Sequence, residues 1–245
     1  MDSLEVELQR LPGALDTVKR IIRYDVAMVP KLIIGNKNYS SWSLRSWLLL
    51  RESGIEFEEH RIALDVATTA AEMAQHCPGR TVPVLQLGEL PVWDTLAIAE
   101  TVAERWPDAH LWPTDSDARA YARSICAEMH SGFAALRNRM PMNCRAMGRK
   151  VALPDELTGE IDRIIAIWSA CHRQYNGDNG WLFDDFSVAD AMFAPVVMRF
   201  RTYGINLPES AGYYPKRLLE SDAMQEWLAA AETETEVIER EEIGK

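Results

Sequence analysis

Three short stretches of the chain carry residue types whose spacing suits chemistry. The first is Tyr39-Ser40-Ser41-Trp42-Ser43-Leu44-Arg45, where hydroxyls gather just ahead of a helical pattern. A hydroxyl at a helix N-terminus lies at the positive end of the helix dipole. An anion such as a thiolate is favoured there over its protonated form. One pKa unit of lowering corresponds to about 1.4 kcal/mol, and the dipole supplies roughly 0.3–1 kcal/mol of it. A hydrogen bond to the charged atom is therefore needed as well. The same serines serve equally well to cap the helix.

The second stretch is Val82-Pro83-Val84. A proline inside a strand pattern interrupts pairing and needs a reason. A cis peptide after Val82 is one, because it turns that residue's N–H and C=O toward a groove where an extended ligand can pair with them. An edge strand without a ligand is the other. The third stretch is Asp94-Thr95, opening a helix. Free N–H groups and a Thr hydroxyl suit a carboxylate, and Asp94 suits an amine. A group carrying both on one carbon matches the pair, and so does plain helix capping.

The surrounding pattern places these stretches at element ends. Leu32-Ile33-Ile34 reads as a strand that breaks at Gly35, and Ser43 to Ser53 as a helix stopped by Gly54. Phe57 to Leu64 reads as a strand, Thr68 to His76 as a short helix, and Val82 to Leu87 as a strand. Gly88-Glu89 turns the chain into Leu90 to Trp93, and a helix then runs from Asp94 to Trp106. The order is β-α-β-α-β-β-α. After Pro107 and Pro113 only long helical stretches follow, near Asp115–Arg139, Pro154–Tyr175, Ser187–Tyr203 and Ser221–Arg240. The division is an extension over 1–29, an α/β domain over 30–108 and an all-helical domain over 114–245. The extension reads as a loosely attached helix or a disordered arm, and Met28 offers an internal start.

Composition narrows the class. The 245 residues carry a formal net charge of −11, which repels nucleic acid and anionic membrane surfaces as partners. Cys77, Cys126, Cys144 and Cys171 lie far apart, and neither they nor the five histidines fall at metal-site spacing. No apolar run approaches the roughly 20 residues of a membrane helix, and the N-terminus is acidic where a signal peptide is basic. The expectation is a cytoplasmic protein with reduced thiols and no metal.

Taken in order, the three stretches resemble the thioredoxin-like domain of cytosolic glutathione transferases, and the resemblance runs over about residues 31–240. Ser40-Ser41-Trp42-Ser43-Leu44-Arg45 is similar to the Ser-Ser-Cys-Ser-x-Arg signature of the serine-type classes, zeta above all. The resemblance implies Ser40 as catalytic serine with Ser41 the near alternative. It implies Val82, Pro83, Asp94 and Thr95 as the glutathione site, joined by Arg80 and Thr81. Glutathione would be co-substrate, the assembly a homodimer, and the role detoxification. The acceptor pocket between the domains would be lined by Trp42, Met129, Phe133, Met140 and Met142, an adaptable apolar surface. Each of these is equally a core residue by its spacing. His130 and Arg137 face either the same cleft or solvent. Ser187 and Asp190 form a capping box, Pro195 should kink its helix, and Arg45 reads as a structural ion-pair partner.

Trp42 departs from the signature, which has cysteine there; that cysteine is linked to isomerase activity, which is put in doubt. With no thiol at the turn, mixed-disulfide chemistry is disfavoured as well. The first functional expectation is conjugation of the glutathione thiolate to an electrophilic, largely apolar molecule. Its rivals are a non-catalytic binding or regulatory module of the same fold and a glutathione-dependent peroxidase or isomerase.

Overall fold

A computed structural model describes residues 29–175 and 179–245. The expectations for the N-terminal extension lie outside the described residues, save for Val29. The first half builds β1 (Lys31–Ile34), α1 (Ser41–Glu52), β2 (Glu58–Arg61), α2 (Thr69–His76), β3 (Val84–Leu87), β4 (Leu90–Val92) and α3 (Thr95–Arg105). The sheet order is β2-β1-β3-β4, with β1 parallel to β2 and antiparallel to β3, and β3 antiparallel to β4. This is the thioredoxin-like βαβαββα arrangement.

The pleat of β1 explains its unbroken apolar run. Leu32 and Ile34 point into the large core shared with α1 and the helical half, while Ile33 joins Ile62, Cys77 and Val84 in a smaller cluster on the other face. A strand covered on both sides has no polar alternation to show. β2 lies at the edge, and its Glu58-Glu59-His60-Arg61 sequence keeps that edge charged. It is shorter than the pattern of Phe57 to Leu64 suggests.

The second half is helical: α4 (Ser116–Ser131), α5 (Ala134–Arg139), α6 (Asp155–Gln174), α7 (Val188–Tyr203), α8 (Tyr214–Leu219) and α9 (Asp222–Thr233). α7 is buried along its length except at Arg201, and packs against both α1 and α4. Helix α1 also meets α9, through an edge-on contact of Trp47 with Trp227 at 5.3 Å. No described helix is long and apolar enough to cross a membrane.

Two expected helices differ. The stretch from Asp115 to Arg139 breaks in two, because Phe133 adopts a left-handed φ of 61° and Gly132 sits where a Cβ would meet the Glu128 carbonyl at 2.9 Å. The last helix stops at Thr233 rather than Arg240. The chain beyond it runs extended, with one 3-10 turn at Glu239–Glu241, and docks on the β1–α1 turn. The Glu234 carboxylate accepts the N–H groups of Lys37 at 2.7 Å and Asn38 at 2.9 Å. Satisfying two loop donors outweighs continuing a helix through so many like charges.

α7 keeps its capping element. Asp190 reaches back to the Ser187 N–H and hydroxyl, both at 2.8 Å, and takes the Leu182 N–H at 2.9 Å. Pro195 sits inside the helix and supplies no N–H to the turn before it. One carbonyl of that turn, Met192 O, accepts Arg45 Nε at 2.9 Å. Arg45 is thus structural, but through a carbonyl and not through the carboxylate expected of an ion pair.

Candidate active site

The turn after β1 shapes the first part of the site. Gly35 lies so close to Leu64 that a Cβ would stand 2.5 Å from its Cδ1, and Asn36 Oδ1 holds the Leu64 N–H at 2.7 Å. Ser40 caps α1, its Oγ accepting the Ser43 N–H at 3.4 Å. Helix α1 therefore starts at Ser41, two residues earlier than its apolar stripe suggests. Ser43 Oγ accepts the Gly35 N–H at 2.9 Å and shares a 2.7 Å hydrogen bond with Ser40 Oγ. With Ser43 as donor in that pair, the Ser40 hydroxyl keeps its own proton for a further acceptor.

The second part faces it. Val82–Pro83 is a cis peptide. Neither backbone polar group of Val82 finds a backbone partner among the described residues. Asp94 precedes α3 but makes no side-chain cap; its carboxylate instead lies 3.4 Å from His130 Nε2 on α4. Thr95 Oγ1 is buried without a hydrogen-bond partner. A buried hydroxyl left open at the mouth of an 11-residue helix is a polar group awaiting an acceptor.

These pieces line one cavity of about 1220 Å³. That exceeds the usual 300–1,000 Å³ of a small-molecule site. Of the residues singled out from sequence, Ser40, Ser41, Trp42, Arg80, Thr81, Val82, Pro83, Asp94, Thr95 and Met142 are on its wall. Met129, Phe133 and Met140 are not: they are buried in the main core, packed inward from α4 and the ends of α5. His130 and Arg137 do face the cleft. The wall also holds Leu64 to Val66, Met73, Arg199, Arg240 and Glu241, which sequence reasoning missed. For Arg199 a signal existed: an arginine inside the apolar run Met192 to Phe200.

The electrostatics of the helical side are unusual. The guanidiniums of Arg45 and Arg137 both sit over the Trp42 ring, 4.4 and 4.8 Å from its centre, and His130 meets the same ring edge-on at 5.2 Å. Burial, then the positive charge of Arg137, draws Arg199 down to about 10. Burial holds Arg45 well below its ordinary value, with Arg137 and Arg199 adding to it. The four thiols offer no competing nucleophile. All are buried, and burial pushes Cys144 and Cys171 up to about 12.

A thioredoxin-like sheet with a cis-proline before β3, followed by a body of helices, is the glutathione transferase architecture. The family model of the glutathione S-transferase N-terminal domain matches residues 39–105. A probable maleylacetoacetate isomerase of Caenorhabditis elegans is 30% identical over 172 residues, 68% of this chain and 77% of that protein. The maleylacetoacetate isomerase of Rattus norvegicus is 27% identical over 204 residues, 80% and 90% of the two chains. In structure, a Burkholderia glutathione transferase homologue with bound glutathione superposes with a TM-score of 0.64 at 22% identity, over 84% of this chain and all of that one. The chain belongs to the glutathione S-transferase family.

Proposed function

We propose that this protein is a serine-type glutathione transferase that joins the glutathione thiolate to an electrophilic small molecule. The observation that carries the reading is the hydrogen-bond chain from Gly35 N–H through Ser43 to Ser40. With Ser43 donating to Ser40, the Ser40 hydroxyl on the cavity wall is left to donate to a ligand at the N-terminus of α1. A thiolate beside it gains one hydrogen bond and the helix dipole, both of which favour the charged sulfur.

The rest of the tripeptide follows the wall. The cysteinyl backbone pairs with the free N–H and C=O of Val82. The γ-glutamyl carboxylate takes Thr95 Oγ1 and the N–H groups opening α3, and the γ-glutamyl amine takes Asp94. Arg80 and Thr81 lie beside the ligand backbone. In the reaction the sulfur forms a bond to the electrophilic carbon, the leaving group departs with the electron pair of the bond that breaks, and the thiol proton passes to solvent. Trp42 and Met142 offer the acceptor its apolar contact. Trp42 stands where the signature has cysteine, which favours conjugation over isomerisation. The same reading carries a homodimer of the 27.7 kDa chain, measurable by light scattering.

The test compares Ser40→Ala with Ser41→Ala in conjugation of an aryl halide and in retention on immobilised glutathione. Ser40→Ala is expected to lose most of its turnover while still binding the column. A larger loss at Ser41, or no retention and no conjugation by the unmodified protein, would overturn the assignment.

A further inference from the structure

We infer that the helical wall of the cavity is a binding site for a carboxylate of the acceptor molecule, built on Arg137 and Arg199. The inference rests on the transferase reading above, and it narrows the acceptor from a neutral apolar electrophile to an anionic one.

Both side chains are fixed in the same way. Arg137 donates its Nε to Gly132 O at 3.0 Å and Nη2 to Met129 O; Arg199 donates its Nε to Met140 O at 2.8 Å. Carbonyls hold each fork in place without neutralising it. Arg199 is only 3% exposed, yet its Nη1 is buried with no partner. Arg137 Nη1 likewise makes no hydrogen bond among the described residues. Neither arginine is within ion-pair distance of a described carboxylate. The nearest acids are otherwise engaged: Glu160 accepts the Ala135 and Leu136 N–H groups, and Glu241 lies 3.5 Å from Arg240.

A third cation deepens the field. Arg45 is buried behind Trp42, with both Nη atoms unpartnered. Three buried or half-buried guanidiniums therefore lie near one another with no described carboxylate in ion-pair contact, in a chain whose net charge is −11. Leaving buried charge unpaired is costly. An incoming planar oxyanion relieves that cost, since an arginine fork matches a carboxylate in shape as well as charge. Trp42, two residues after Ser40 on the same cavity wall, touches Arg137. An aromatic acceptor lying past the open edge of the indole has its anionic end at the arginines and its reactive carbon toward the sulfur.

The test uses two matched acceptors, 4-chloro-3-nitrobenzoate and 4-chloro-3-nitrobenzamide, each rate divided by its uncatalysed rate with glutathione. The corrected kcat/KM is expected to favour the benzoate by about tenfold or more in the unmodified protein, and the preference is expected to collapse in Arg137→Met. Because Arg199 supports Met140, Arg199→Lys serves as the second variant. A non-reacting pair, 4-nitrobenzoate and 4-nitrobenzamide, reads binding separately: the benzoate should raise the melting temperature of the glutathione-loaded protein and the amide should not. Equal handling of acid and amide, or a preference untouched by Arg137→Met, overturns the site. A variant that loses affinity for glutathione itself, with acid and amide falling equally, assigns the arginines to the tripeptide's glycine carboxylate and overturns it too. Protection by the benzoate without conjugation of either acceptor keeps the site and sinks the transferase reading.

Discussion

The Tyr39 hydroxyl donates to Glu242 Oε1 at 2.7 Å, across 203 residues of sequence. The same carboxylate accepts Asn143 Nδ2 at 2.7 Å and a guanidinium N–H of Arg149. Together with Glu234 on the Lys37 and Asn38 N–H groups, it straps the end of the chain to the turn that presents Ser40. The position of Ser40 thus depends on residues far from it in sequence.

Replacing Glu242 by Gln should therefore loosen that strap. A hydrogen bond to a charged group contributes about 1.5–3 kcal/mol, and the loss is expected at the low end of that range because the amide keeps part of the network. Burial disfavours the Glu242 charge, but hydrogen bonds from Tyr39, Arg149 and Asn143 outweigh it and hold the carboxyl below its ordinary value. A depressed carboxyl stabilises the fold above the unfolded pKa of about 4.3 and loses that contribution as pH falls through the folded value. Urea midpoints of the two proteins should differ at pH 7 and converge toward pH 3. A gap independent of pH would contradict the ionic role.

Ser43→Ala tests the relay behind Ser40. It removes the partner of both the Gly35 N–H and the Ser40 hydroxyl. Leaving that buried N–H open costs about 1–3 kcal/mol of stability. The apparent thiol pKa of bound glutathione, followed by thiolate absorbance against pH, should rise, but less than in Ser40→Ala. An unchanged value would leave Ser43 a folding residue only.

Much of this was legible in the sequence, for identifiable reasons. The site's first wall is made of turns and helix starts, and these are written locally: Ser40, Val82-Pro83 and Asp94-Thr95 each mark an element end. The second wall draws on helix faces and on loops such as the one that carries Met142. Periodicity tells which face points inward but not whether the inside is core or cleft, so Met129 and Met140 went to the core while Met142 and Arg137 reached the cavity. The break at Gly132-Phe133 hid inside a good helical pattern, since a single glycine is tolerated there. The run from Glu234 to Glu242 is rich in helix formers, and only its docking on Lys37 and Asn38 draws it out straight.

Asp94→Asn probes the γ-glutamyl end. The carboxylate is half exposed and turned toward His130, so its contribution to an amine is that of a partly solvated pair. The KM for glutathione should rise roughly tenfold, the equivalent of about 1.4 kcal/mol, with kcat nearly unchanged. A fall in kcat at constant KM would place Asp94 in the chemical step instead.

Asp190 gives the clearest pH signature of the fold. Burial raises its carboxyl to about 7, against the pull of the Leu182 N–H and of the Ser187 hydroxyl and N–H. In the unfolded chain the same group titrates at about 3.9. Between those values the folded protein holds a proton that the unfolded chain has released, so the contribution of Asp190 is greatest below about pH 4 and declines toward pH 7. Asn at this position does not titrate, and its NH2 confronts one of the three donors at a cost of about 1–3 kcal/mol. Asp190→Asn should therefore be the less stable protein at pH 4.5, by urea midpoint, with the deficit narrowing as pH rises to 7. A deficit that stays constant between those pH values would mean the carboxylate is ionised in its cage, with the three donors outweighing burial.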